Sequence, residues 1–211
     1  MAAKHYILMG DVVRSRQQPG AAFMRQFKNL VAGCNETLSQ DLLSPLTITL
    51  GDEFQGIARS LPAALDAILW LEEKILESRL KFKLRYVVHH GRIDTPINRA
   101  IAYEMVGPGL TAARELLTGK KRGRPRARVD LPARDKLARQ LNRLLAVLLS
   151  LKDDWKVKDY GLVLDMLGQE NDSEVARLHA KDRSQIWRRR KTLHVEDYRT
   201  LKAAILEMAA G

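Results

Sequence analysis

The chain has very little cysteine: Cys34 is the only one in 211 residues. That excludes a disulfide framework and a cysteine-ligated zinc site. Cys34 falls on the apolar spacing of a helix and reads as a small buried hydrophobe. Also missing is any apolar run near the roughly 18 residues a membrane-spanning helix needs. The first residues have no basic-then-apolar export pattern before Asp11 interrupts them, so the expectation is a cytoplasmic chain without a membrane partner. Aromatics are scarce at 6%, but the hydrophobic share of 45% is ordinary for a folded protein with a real core. Positive charge is in excess, with a net +11. Residues 120–211 hold 22 Lys and Arg against 13 Asp and Glu, while residues 1–119 hold 14 against 12. So uneven a distribution suggests an acidic polymer as partner for the C-terminal part, nucleic acid before membrane.

Lys4 to Gly10 reads as a strand. Phe23, Phe27, Leu30, Val31, Cys34, Leu38 and Leu42 recur at helical spacing, which predicts a helix over 21–43. A hairpin follows, with strands from Leu46 to Leu50 and from Phe54. Ser60-Leu61-Pro62 is an N-cap with proline in the first turn, opening a helix to about Glu77. Lys81 to His89 is a strand, 92–106 a loop, Pro108 to Leu117 a helix and Ala127 to Asp130 a short strand. This order, β-α-β-β-α-β-α-β, predicts an α+β fold: an antiparallel, ferredoxin-like sheet with helices on one face. Beyond Pro132 the pattern is helical. The leucine face of the helix over 132–152 must be covered by a domain or a second subunit. The expected division is an α+β domain over 1–131 and a helical domain over 132–211.

Two strand ends carry carboxylates. Gly10-Asp11 closes the first strand, and Gly51-Asp52-Glu53 forms the hairpin tip, where Gly51 supplies the positive φ of a tight turn. Two such ends side by side are what a magnesium site for a nucleotide needs, because Mg²⁺ takes one or two carboxylates plus phosphates. Against this stands turn capping by Asp52, whose side chain can bond nearby backbone N–H groups. His89 and His90 read as strand-end residues rather than ligands, and Glu53 as a residue that faces either solvent or the site.

MGDVVRSR, TLGDEFQG, LRYVVHHGRI and VGPGLTAAREL together resemble the motifs of class III nucleotidyl cyclase domains. The resemblance implies a cyclase-like (palm-type) sheet, metal positions at Asp11 and Asp52, and a phosphate-contacting hydroxyl at Ser15. It also implies a phosphate-contacting, catalytic arginine at Arg114; Gly51 and Glu53, beside Asp52 at the hairpin tip, are read from their position there as candidate nucleotide-binding residues. Leu110 stands where those cyclases carry a ribose-contacting asparagine, a departure that bears on cyclization. The opening strand ending in GD and the ITLGDEFQG hairpin are more closely similar to the SatD family, which pairs this domain with a C-terminal helix-turn-helix. That resemblance covers nearly the whole chain.

In the basic half, DSEVARLHAKDRSQIWRRRK (about 172–191) resembles a bacterial helix-turn-helix. Ala176 is small at the helix approach, Ala180 lies at the turn, and Ile186 and Trp187 point inward. Arg183, Ser184, Gln185, Arg188, Arg189 and Lys191 are donors suited to a DNA major groove. Lys120 to Arg126, KKRGRPR, resembles an AT-hook whose Arg122, Arg124 and Arg126 would enter a minor groove. The expected function is a DNA-binding transcriptional regulator with a cyclase-like nucleotide-sensing or dimerisation domain. The alternative is a Mg²⁺-dependent nucleotidyl cyclase or transferase. DNA, a nucleotide with Mg²⁺, and a second copy of the chain are the expected partners.

Overall fold

Tyr6 to Met9 is an unbroken apolar run, and such a run suits a strand covered on both faces. In the computed structural model, which describes residues 3–13, 20–119 and 125–211, that strand is the centre of the sheet. β1 (Lys4–Val12), β2 (Leu42–Ile48), β3 (Glu53–Ala58), β4 (Leu84–Arg92) and β5 (Ala127–Asp130) lie in the order β2-β3-β1-β4-β5. β1 is antiparallel to β3 and β4, and β2 to β3, whereas β5 runs parallel to β4. The sheet is therefore mixed rather than antiparallel. Its last strand arrives through a helix, and such a crossover returns the chain in the direction of the strand it left.

Helices cover both faces, not one. α1 (Gly20–Thr37) and α2 (Leu61–Glu77) pack on the side of Leu8, Phe54, Tyr86 and Val88. α3 (Pro108–Thr118) and the loop before it cover Ile7, Met9, Ile57 and Val87. α1 stops six residues before the expected end. The Asn35 side chain bonds both the N–H and the carbonyl of Leu46 at 2.8 Å, turning the following residues back as β2. The hairpin loop is Thr49 to Asp52, longer than a two-residue turn, with Gly51 at φ +78°. Two close approaches need glycine. A methyl on Gly10 would lie 2.5 Å from the Phe54 ring, and one on Gly91 would lie 2.6 Å from the Gly109 backbone, so α3 sits directly on the end of β4.

α4 (Asp135–Asp154), a 3₁₀ turn (Val157–Asp159), α5 (Tyr160–Gly168), α6 (Asp172–Leu178), α7 (Arg183–Thr192) and α8 (Val195–Ala210) follow. The leucine face of α4 is covered by this same chain, since α8 and β5 pack on it. One continuous apolar core runs from Leu8 in β1 to Ala209 in α8 and includes Val175, Ala176 and Ile186. The α6–α7 pair is thus built into the body of the protein and is not set apart as a separate helix-turn-helix domain.

A buried ion cluster ties the helical part to the sheet. Glu72 of α2, fully buried, accepts from Tyr86 Oη at 2.8 Å, from Arg126 Nη2 at 2.9 Å and from Lys152 Nζ at 2.8 Å. Arg126 also grips Asp153 through Nε at 2.9 Å and Nη2 at 2.7 Å. Next to Glu72 on α2, Glu73 accepts from Tyr198 and Lys202 of α8.

α2 ends in a Schellman motif: Leu80 N donates to Ile75 O and Arg79 N to Leu76 O. The left-handed position, where glycine is usual, is Arg79 at φ +50°. Holding a non-glycine residue there costs on the order of 1–2 kcal/mol. α6 ends the same way with Ala180 at φ +48°.

Candidate functional site

Strand parity decides which side chains meet. In β1 the odd residues Ile7, Met9 and Asp11 face α3, and the register sets Asp11 opposite Glu53 on β3 and opposite Arg85 on β4. Glu53, Asp11 and Arg85 therefore form one transverse row across three neighbouring strands. Arg85 donates to Asp11 through Nε at 2.9 Å and, in a fork, through Nη2. Arg114 reaches Glu53 from α3 with Nη1 3.5 Å from Oε2. Asp52 closes the group at the hairpin: its carbonyl accepts from Val12 N at 3.0 Å, which holds the tip against the end of β1.

The row is electrostatically tight. Burial pushes the Glu53 carboxyl up; Arg114 opposes the rise, while Asp11 and Asp52 add to it. Bonding to Asp11 stabilises the charged Arg85 guanidinium. Both arginine side chains remain about two-fifths exposed, whereas Asp11 and Glu53 are largely covered. Beside Arg85 opens a cavity of about 290 Å³ between β4, β5, α3 and α4, with Val87, Leu116, Leu117 and Pro125 giving it apolar walls. That is near the lower end of the size range for small-ligand pockets.

The donor chemistry of three carboxylates suits a hard cation, but a cation at Asp11 would have to displace Arg85. Both oxygens of Asp11 are taken by Arg85, and Glu53 faces Arg114. Among the described residues no group of three or more His, Cys, Asp or Glu is placed to hold a metal. A guanidinium stands against Asp11 where the sequence pattern leads one to expect a metal cation.

Ser15, Arg122 and Arg124 lie outside the described residues. Gly51 is exposed at the hairpin tip, and Leu110, at the asparagine position, packs into the apolar layer under α3. Arg126 is not presented to solvent as an AT-hook residue; it is spent on Glu72 and Asp153 inside the protein. On α7, Arg183, Ser184, Gln185, Arg188 and Lys191 are exposed, and Arg189 is half-buried and held by Asp159 at 2.6 Å. Trp187 is 55% exposed instead of lying in the core, because Ile186 and Arg190 occupy the inward positions. Arg190 bonds Asp172, Glu196 and the carbonyls of Met166 and Gln169. His89 bonds Asp130 and His90 stacks on Tyr6. Sequence reasoning does not single out Arg85, although a lone charge in the apolar run of β4 is its signal.

Fold and site together define an α+β protein with two adjacent carboxylates, each paired with a guanidinium, at its strand ends, flanked by a small cavity with apolar walls. The chain belongs to the SatD family, whose family model matches residues 5–204. Comparison with solved structures finds cyclase domains at low identity. One is a bacterial light-regulated adenylyl cyclase, at 11% identity and a TM-score of 0.44, covering 61% of this chain and 76% of that one. The adenylyl cyclase CyaB from P. aeruginosa gives 11% and 0.43, with 61% and 77% covered. The guanylyl cyclase domain of the RhoGC fusion protein from the aquatic fungus Blastocladiella emersonii gives 11% and 0.44, with 61% and 79% covered. A search of curated proteins found no similar sequence.

Proposed function

We propose that the chain binds a nucleotide at the Glu53–Asp11–Arg85 row, with phosphates on Arg85 and Arg114 and the base in the adjoining cavity. The observation that carries this is a forked, part-exposed Arg85 guanidinium lining a base-sized cavity with apolar walls, with the part-exposed Arg114 on Glu53 in the same row. A guanidinium fork matches phosphate as well as it matches carboxylate, so each arginine has a bound state to leave and an equivalent one to enter. Asp11 and Glu53 hold the arginines in place until the ligand arrives.

The test is a thermal-melt panel of purine and pyrimidine mono-, di- and triphosphates, with and without Mg²⁺. It would be run on the wild-type chain and on Arg85→Ala and Arg114→Ala. A ligand at about 100 times its Kd adds roughly 2.7 kcal/mol, which for a chain of this size raises the melting temperature by about 5–10 °C. The shift should be present without Mg²⁺ and should shrink in both variants. No shift with any nucleotide refutes the reading. A cyclic or transferred product in the same incubations would replace it with Mg²⁺-dependent nucleotidyl chemistry, which requires Asp11 to exchange Arg85 for the metal.

A second reading, DNA binding by α6–α7 in a regulator, is favoured by the outward face of α7. Arg183, Arg188 and Lys191 stand exposed there around Trp187. An electrophoretic shift assay with genomic fragments tests it; absence of any retarded complex at low salt would remove it.

A further inference from the structure

We propose that the groove beside α7 is a seat for nucleic-acid phosphates, and that it carries the contact surface beyond the helix pair to Arg79 and Lys158. The proposal rests on the DNA-binding reading and names a part of the surface that no sequence motif marks. The groove encloses about 700 Å³ between the end of α2, the 3₁₀ turn and α7. Arg79, Lys158, Lys181, Gln185, Arg188 and Arg189 line it. Its one lining carboxylate, Asp159, is already held by Arg189. Among the described residues, Arg79, Lys158, Lys181 and Arg188 have no carboxylate partner.

Four unpartnered cations around one groove repel each other, and a polyanion removes that repulsion. Arg79 reaches the groove from the left-handed position that ends α2. Arg79 holds a left-handed conformation that glycine would adopt without strain. Its guanidinium lies over Gly161, with Nη2 3.8 Å from where a side chain there would begin, an ordinary contact distance. The ligand is a polymer rather than a small anion, because the groove is open. Away from the groove, the exposed surface of α7 carries a further row, Arg183, Trp187 and Lys191, spaced about one helical turn apart. Cations that follow a backbone beside an exposed aromatic are the pattern of nucleic-acid surfaces.

The experiment is fluorescence anisotropy of labelled mixed-sequence duplex and single-stranded DNA between 50 and 200 mM salt, using the full chain. The proteins are the wild type, Arg79→Gly, Lys158→Ala, their double variant, and Arg183→Ala with Lys191→Ala. Removing one cation from a phosphate lowers the salt slope by about 0.9 and the affinity roughly eightfold at about 0.1 M salt. The groove double variant, short of two such cations, should therefore have a slope smaller by about 1.8. Arg79→Gly should melt no lower than wild type, since it relieves the strained backbone, and its weaker binding then reports the missing guanidinium rather than a damaged fold. An unchanged slope in the groove variants, with binding abolished in Arg183→Ala/Lys191→Ala, overturns the groove and leaves the DNA reading standing. No binding of either DNA by the wild type overturns both. A melt shift with free triphosphate that disappears in Arg79→Gly, without DNA binding, makes the groove a small-anion site and also overturns the proposal.

Discussion

Replacing Glu72 by Gln should weaken the fold sharply and also change how its stability responds to acid. Glu72 has no exposed surface and holds Lys152, itself 3% exposed, together with Arg126 and Tyr86. Burial opposes its charge, but Lys152 and Arg126 more than reverse this and hold its carboxyl at about 2, against an ordinary 4.5. A carboxylate depressed in the folded state stabilises the protein above its unfolded pKa, and that stability is lost as pH falls through the folded value. The difference of about 2.5 units corresponds to roughly 3 kcal/mol, present at neutral pH and lost between about pH 4.5 and 2. Glu72→Gln removes this contribution and leaves the Lys152 ammonium buried beside a neutral amide; breaking one side of a buried pair costs about 3–5 kcal/mol. The assay is urea unfolding at pH 7, 5, 4 and 3, followed by far-UV circular dichroism and by tryptophan fluorescence, to which the buried Trp155 contributes. Wild type should lose stability steeply below pH 4.5, and the variant should start lower and fall less. Because the cluster joins α2 and β4 to α4, both probes should report one transition in the wild type. Equal midpoints for the two proteins at pH 7, or parallel pH profiles, would refute the assignment of Glu72 as the charged centre of this cluster.

Two further outcomes follow from the site. Arg85→Ala should expose the Asp11 carboxylate beside Asp52 and create a Mn²⁺- or Mg²⁺-dependent rise in melting temperature that the wild type lacks; a metal shift of equal size in the wild type would refute the guanidinium's place as resident cation. Self-association, expected from the sequence, is proposed for the face where Leu50 and Ile101 stand exposed beside Tyr103, which bonds Ile48 O at 2.8 Å. Sedimentation should show a dimer that Leu50→Asp with Ile101→Asp converts to monomer, and a monomeric wild type would end the proposal.

Local pattern is enough for most elements. Apolar spacing, the Ser60 cap and the Pro108 start place α2 and α3 within a residue, and β5 falls on Ala127–Asp130 as expected. The departures share a cause: each is settled by a distant partner. α1 ends early because Asn35 finds Leu46, eleven positions on. Arg126 looks like one more cation in a basic run, and only the approach of Glu72 and Asp153 makes it interior. In RRRK, spacing alone does not say that Arg190 is the buried arginine, nor that Trp187 is the exposed aromatic. The carboxylates at Asp11 and Asp52 are visible as two strand ends. Their neutraliser is not, because Arg85 meets Asp11 through the β1–β4 register, and register is a property of the assembled sheet.

Cys34 has a consequence beyond packing. It has no exposed surface, and burial, with Asp66 adding to it, pushes its thiol up to about 12. Only the thiolate reacts, so the native chain is shut to thiol reagents both by access and by protonation. Since Cys34 is the sole cysteine, every molecule labelled must have opened the α1 side of the core first. Labelling rate under fast reclosing measures the free energy of that opening. The protein thus carries its own clock for local unfolding, and a nucleotide or DNA ligand that stabilises the fold as a whole will slow it without touching α1.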